Sequence, residues 1–201
     1  MTRPFILGLT GSIGMGKSTT ASLFARCGVP IHDADAAVRR LYAAGGAGAR
    51  LIAGLFPDAI AEDGSVDRAR LRDHVLGRPD SLARLEAAIH PLVRGEEQRF
   101  LEEHGDASLV ILDIPLLFET GGEDRCDAVL VVTADPEVQR QRVLARPGMS
   151  EAAFAAILAK QLPDADKRAR ADFLIDTGLG LADAENQVDA LIQRLVGAGT
   201  A

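Results

Sequence analysis

Gly11–Ser18 reads G-S-I-G-M-G-K-S, and this octapeptide decides the fold. It is a complete G-x-x-x-x-G-K-[ST] phosphate-binding loop, in which each specified position has its own physical task. Gly11 and Gly16 are expected to take backbone angles closed to other residues, and Gly14 to let the chain pass close to an anion. The N–H groups along Gly11, Ser12, Ile13, Gly14, Met15, Gly16, Lys17, Ser18 and Thr19 then cradle a phosphate at a helix start, where the dipole favours negative charge. Lys17 reaches the β- and γ-phosphates of a nucleotide, and the Ser18 hydroxyl ligates Mg²⁺. The flanks agree. Phe5–Leu9 (F-I-L-G-L) is the short apolar run of a buried parallel strand, and Lys17–Arg26 places Ala21, Phe24 and Ala25 at helical spacing. The competing reading, a glycine-rich turn that binds nothing, does not need a strand before it and a helix after it.

Further apolar runs lie at Val29–His32, Leu109–Ile114, Ala128–Thr133 and Phe173–Asp176, separated by helical patterns. Such alternation predicts an α/β fold, a parallel five-stranded sheet of the phosphate-loop NTPase type flanked by helices. Ligands then collect at the carboxyl ends of the strands. Between the second and third strands no strong strand signal occurs. Arg68–Leu76, Ser81–His90 and Leu92–His104 read as helices, with Pro91 breaking the run, and Gly45–Gly48 and Asp63-Gly64 read as turns. The expected division is a core of 1–42, 106–138 and 171–201, a helical substrate-facing insertion of 43–105, and a small helical lid of 139–170.

Composition narrows the function. The chain has 201 residues, 47% of them apolar, enough for a substantial core. Its formal charge of −7 argues against a general nucleic-acid binder, whose footprint is basic. Cys27 and Cys126 lie far apart with no metal-ligand spacing, which suits a reducing cytosol. No apolar stretch is long enough for a signal peptide or a membrane span. A cytoplasmic protein with no membrane, nucleic-acid or obligate protein partner is expected.

Three clusters add chemistry. Asp33 and Asp35 follow the short second strand, where one carboxylate can accept a substrate hydroxyl proton and one can cap the helix Ala34–Ala43. Asp33 is the choice for catalysis. Val110–Asp113 has the form of a strand that ends in a metal-holding acid, so Asp113 joins Ser18 as a metal candidate. Glu119 reads either as a second acid near the metal or as surface, and His90 either as a contact to a substrate phosphate or base or as a structural histidine. Arg140, Arg142, Arg146, Lys160, Lys167, Arg168 and Arg170 form a basic run, either a solvated face or a lid that places cations over a transferred phosphoryl group. Ser150 is the expected N-cap within it.

In this order the pieces resemble the dephospho-CoA kinase family over nearly the whole chain. The resemblance rests on Leu9–Thr19, D-A-D (Asp33–Asp35) and I-H-P-L (Ile89–Leu92). It continues through D-I-P-L-L-F-E (Asp113–Glu119), V-L-V-V-T-A (Val129–Ala134), Q-R-Q-R (Gln139–Arg142), Gln161, Arg168 and A-D-F-L-I-D-T-G (Ala171–Gly178). It implies transfer of the ATP γ-phosphoryl to the ribose 3′-hydroxyl of dephospho-CoA with Mg²⁺, with a helical CoA-binding unit and a lid. It also implies Asp33 as general base, Arg146 as lid arginine beside catalytic Lys17, and His90, Glu119, Gln161 and Arg168 as substrate contacts. Ser12 departs from a common glycine, and Asp176-Thr177-Gly178 from a frequent Asn-x-Gly near the adenine edge. Other small-molecule or nucleotide kinases are the alternative. A GTP-dependent switch lacks its guanine-reading N-K-x-D here, and a dinucleotide-binding oxidoreductase would need glycine at Thr19.

Overall fold

The computed structural model describes residues Arg3–Gly197. Five strands, β1 (Phe5–Thr10), β2 (Ile31–Asp33), β3 (Leu109–Asp113), β4 (Ala128–Thr133) and β5 (Phe173–Asp176), form a parallel sheet in the order β2-β3-β1-β4-β5. Every residue of β3 and β4 is buried, as continuous apolar strands covered on both faces must be. Period-two alternation sends Leu7, Leu9, Leu109, Ile111, Leu130 and Val132 to one face. There they pack with Leu23 and Phe24 of α1 (Lys17–Arg26) and Val188 and Leu191 of α9 (Leu181–Gly197). The register pairs Leu9 with Asp113, which brings the end of β3 beside the chain leaving β1.

Two compact units are present. One contains the sheet and comprises the described residues up to His32 and from His104 onward; the other is Asp33–Glu103. The second unit is helical: α2 (Ala34–Tyr42), α3 (Ala47–Leu55), α4 (Arg68–Val75) and α5 (Pro79–Glu103) surround Ile52, Phe56, Val66, Leu71, Leu85 and Ile89. Its boundary differs from the expected one. Helix α2, read from sequence as core, packs on α3 and α5 and belongs to the helical unit. The second strand is also shorter and later than Val29–His32.

Two local expectations are corrected by packing. Pro91 does not break its helix, and α5 runs through it for 25 residues. Proline removes one hydrogen bond, while Leu85 and Ile89 before it and Leu92 and Val93 after it share the same apolar cluster. The Gly45–Gly48 region is a turn only in part, since α3 begins at Ala47. A Cβ on Gly48 would lie 2.9 Å from the Leu41 carbonyl oxygen, so this glycine serves close helix packing rather than a bend. Asp63 does close the expected turn, accepting from the Ser65 N–H at 2.8 Å beside left-handed Gly64.

Candidate active site

The phosphate-binding loop leaves the end of β1 and feeds α1. Gly16 is the N-cap in the left-handed region, with φ 91°, and no side chain caps the helix. No acid occupies the first turn of α1. Its free N–H groups and its dipole therefore face an open position suited to an anion. Gly14, with φ 80°, is also left-handed. Gly11 is not; there the glycine is required because a Cβ would approach the Val132 carbonyl oxygen to 2.7 Å. This corrects the conformational role expected of Gly11. Ser12 is buried with an ordinary φ, so the departure from glycine costs the loop nothing in backbone strain.

Side chains from later elements brace the loop. On α6 (Pro136–Leu144), Gln139 donates from Nε2 to the Ile13 carbonyl at 2.7 Å. Gln161 accepts from the Ile13 N–H at 3.1 Å. Thr177, just beyond β5, donates from Oγ1 to the Met15 carbonyl at 2.8 Å. Lys17 Nζ meets Asp113 Oδ1 at 2.5 Å, with their side chains 16% and 8% exposed. Ser18 and Thr19 are exposed on the first turn of α1.

A cavity of about 280 Å³ opens beside the loop. Gly14, Gly16 and Thr19 form one wall, Arg142, Arg146 and Thr177 another, and the start of α9 closes it. The basic run is thereby sorted. Arg140 pairs with Glu137 and Glu151, and Arg170 pairs with Glu123 and stacks 4.3 Å from the Phe118 ring centroid. Arg168 is exposed. Arg142 and Arg146 line the cavity. Lys167, on α8 (Asp164–Ala169), is fully buried and reaches Glu119 at 2.9 Å. Ser150 caps α7 (Glu151–Leu158) as expected, accepting from the Ala153 N–H.

Glu119 is thus not a free surface group. Its Oε1 accepts from the Leu162 N–H at 2.8 Å and faces the Lys167 ammonium. Burial alone pushes this carboxyl up, but Lys167 and the Leu162 N–H outweigh it and hold the carboxyl below its ordinary value. Gln161, expected to touch substrate, has its Oε1 on the loop.

Asp33 and His90 belong to the helical unit. Asp33 caps α2, with Oδ1 accepting from the Ala36 N–H at 2.8 Å, and its Oδ2 lies 3.2 Å from Arg39. Cap and chosen base are therefore one residue; Asp35 sits in the first turn. His90 is exposed on α5. Sequence reasoning placed Arg142 and Lys167 in the basic run and Gln139 and Thr177 in the resemblance motifs, but gave none of the four its role here. A signal existed for two of them: Gln139 and Arg142 are three apart on one helix, next to Val143, whose methyl would be 2.5 Å from a Cβ on Gly14.

Comparison with known proteins gives the family and the fold. The dephospho-CoA kinase family model matches residues 5–183. A dephospho-CoA kinase of Mesorhizobium japonicum is 60% identical over 96% of this chain and 97% of its own length. A crystal structure from Thermus thermophilus shares 38% identity with a TM-score of 0.84, covering 96% of this chain and 99% of that one. A dephospho-CoA kinase structure from Campylobacter jejuni, at 24% identity and TM-score 0.63 over 94% of this chain and 96% of its own, has the same fold.

Proposed function

The chain belongs to the dephospho-CoA kinase family and carries out ATP-dependent phosphorylation of dephospho-CoA in coenzyme A biosynthesis; from this premise we propose how its residues divide the work. The observation that carries the proposal is the uncapped start of α1 under left-handed Gly16, with Lys17 beside it paired to Asp113. ATP phosphates fit that position, and Lys17 exchanges its carboxylate partner for the β- and γ-oxygens. The γ-phosphoryl group then passes in line to the ribose 3′-hydroxyl through a loose transition state. Asp33 orients the hydroxyl and accepts its proton. The Arg39 guanidinium lies 3.2 Å from Oδ2 and helps fix the carboxylate's orientation. Arg146, exposed on the cavity wall, adds positive charge as the lid segment of 139–170 closes.

Ser18 and Asp113 offer one hydroxyl and one carboxylate, hard oxygen donors of the kind Mg²⁺ takes. Among the described residues no three His, Cys, Asp or Glu side chains form a cage, so water and phosphate oxygens would complete the ion's shell. When bound, Mg²⁺ neutralises phosphate charge as transfer proceeds. His90 and Arg168, both exposed, are the proposed direct substrate contacts. Glu119 and Gln161 shape the site through Lys167, Leu162 and the Ile13 N–H. The helical unit of residues 33–103 is proposed to hold the pantetheine arm of dephospho-CoA.

Of location, the described residues show that no helix is long and apolar enough to cross a membrane. A cytoplasmic setting, in which Cys27 and Cys126 remain thiols, belongs to the same proposal.

The test is an ADP-release assay with dephospho-CoA, with product mass showing one added phosphate. Dephospho-CoA should far exceed adenosine in kcat/KM, and in kcat, because remote binding energy aligns the reacting hydroxyl. Equal kcat/KM for the two acceptors would overturn the role given to the helical unit.

A further inference from the structure

Thr177 has no part in the mechanism above, yet three elements meet at its side chain. It is 6% exposed, whereas Asp176 before it faces solvent and closes a turn by accepting from the Gly178 N–H at 2.7 Å. The Thr177 N–H donates to the Thr133 carbonyl at 2.9 Å, which ties it to the end of β4. Its Oγ1 donates to the Met15 carbonyl at 2.8 Å and accepts from Arg142 Nη1 at 2.8 Å. Arg142 Nη2 donates to the Thr177 carbonyl at 2.7 Å. A Cβ built on Gly16 would stand 3.0 Å from Thr177 Oγ1 and Cγ2, so the threonine is also the floor beneath the loop.

We infer that Thr177 is a positioning residue for the nucleotide pocket, its hydroxyl holding the Met15–Gly16 peptide and the Arg142 guanidinium in one arrangement. The inference rests on the reading that this cavity receives ATP. A hydroxyl has a single proton, and the Met15 carbonyl at 2.8 Å takes it in preference to the Thr133 carbonyl at 3.4 Å, so the lone pairs are left for Arg142. The hydrogen bonds therefore run in one direction, from Arg142 through Thr177 to Met15, and each polarises the next. The peptide between Met15 and Gly16 is planar. Fixing the Met15 carbonyl toward Thr177 turns the Gly16 N–H the opposite way, away from the floor of the loop. Arg142 has both Nη groups tied to one residue and cannot swing, so it presents a fixed cation to the cavity. Ordering done before ATP arrives need not be done on binding.

Valine matches threonine in shape but can make neither bond, and it leaves the Met15 carbonyl and one Arg142 N–H without a partner. Serine keeps the hydroxyl. The experiment uses the full chain and the variants Thr177→Val, Thr177→Ser, Arg142→Met and the Val/Met double. It reads KM for ATP and for dephospho-CoA, kcat, direct ATP binding by titration, and thermal midpoint. Thr177→Val should raise the KM for ATP by roughly ten- to a hundredfold, the usual worth of a charge-linked hydrogen bond network. KM for dephospho-CoA should stay near its wild-type value, and Thr177→Ser should restore ATP binding. The double variant should be no worse than the poorer single, because the two residues act as a unit. A wild-type KM for ATP in Thr177→Val, equal damage in Thr177→Ser, or equal rises for both substrates would each overturn the inference. If Thr177→Val does not fold, Arg142→Met decides: an unchanged KM for ATP overturns it, and a raised one supports it. A wild-type chain that binds no ATP strikes instead at the reading of the cavity, and is visible before any variant is made.

Discussion

Replacing Lys167 by methionine should destabilise the protein, and by an amount that depends on pH. Lys167 is fully buried, its Nζ 2.9 Å from Glu119, whose side chain is 18% exposed. Methionine keeps most of the aliphatic stem, so packing changes little; Glu119 loses its countercharge and keeps the Leu162 N–H. Breaking a fully buried ion pair costs about 3–5 kcal/mol, and partial water access to the carboxylate lowers the expected loss to about 2–3 kcal/mol. Glu119→Gln should cost more, about 4 kcal/mol, because it strands an ammonium group that has no access to water. In the wild type the Glu119 carboxyl is held below its ordinary value of 4.5, so the pair contributes fully above that value. The contribution is lost as pH falls through the lower folded value. In Lys167→Met, burial faces less opposition and the carboxyl moves upward. The penalty therefore shrinks as pH falls from 7.5 through the ordinary carboxyl value of 4.5, where the wild type begins to lose the pair's contribution. Urea denaturation of the wild type, both singles and the double variant across that range measures this. The double should be less destabilised than the sum of the singles. A penalty independent of pH, together with additive singles, would refute the ion pair and reduce Lys167 to an aliphatic filler.

Three further outcomes are expected. Lys17→Ala should lower kcat by roughly 10²–10³-fold, the worth of a charge aimed at developing phosphoryl oxygens, with the fold checked by circular dichroism; turnover retained in a folded variant would remove the lysine from the mechanism. Asp33→Asn should keep ATP binding and lose roughly 10²–10⁴-fold in kcat, while Asp35→Asn is milder; steady-state kinetics giving the reverse order would exchange their roles. Gly11→Ala should lower the thermal midpoint through the 2.7 Å approach of its Cβ to the Val132 carbonyl, at about 1–3 kcal/mol. A wild-type midpoint there would mean that β1 and β4 part more easily than their shared ladder suggests.

What was legible in the sequence was local. The order Gly11-x-x-x-x-Gly16-Lys17-Ser18, with left-handed Gly16 at the N-cap, marks its own helix start, so strand, loop and helix could be read directly. Unbroken apolar runs such as Val129–Val132 made strands buried on both faces the natural reading. Ser150 announced its helix because capping needs only the next three residues. Tertiary structure decided everything that depends on partners distant in the chain. Of the cations in the basic run, Lys167 is buried with its ammonium turned to Glu119, while Arg142 and Arg146 went to the cavity. Gly11 and Gly48 are glycines because another backbone passes within a Cβ's reach, not because of their own angles. Pro91 was tolerated because both halves of its helix bury side chains in one cluster. Thr177 looked like the middle residue of a weakened motif; a hydroxyl becomes a hub only when folding brings Met15, Arg142 and Thr133 around it. Local conformational preference is written in neighbouring residues, whereas the partner that satisfies a buried charge or hydroxyl is chosen by the fold.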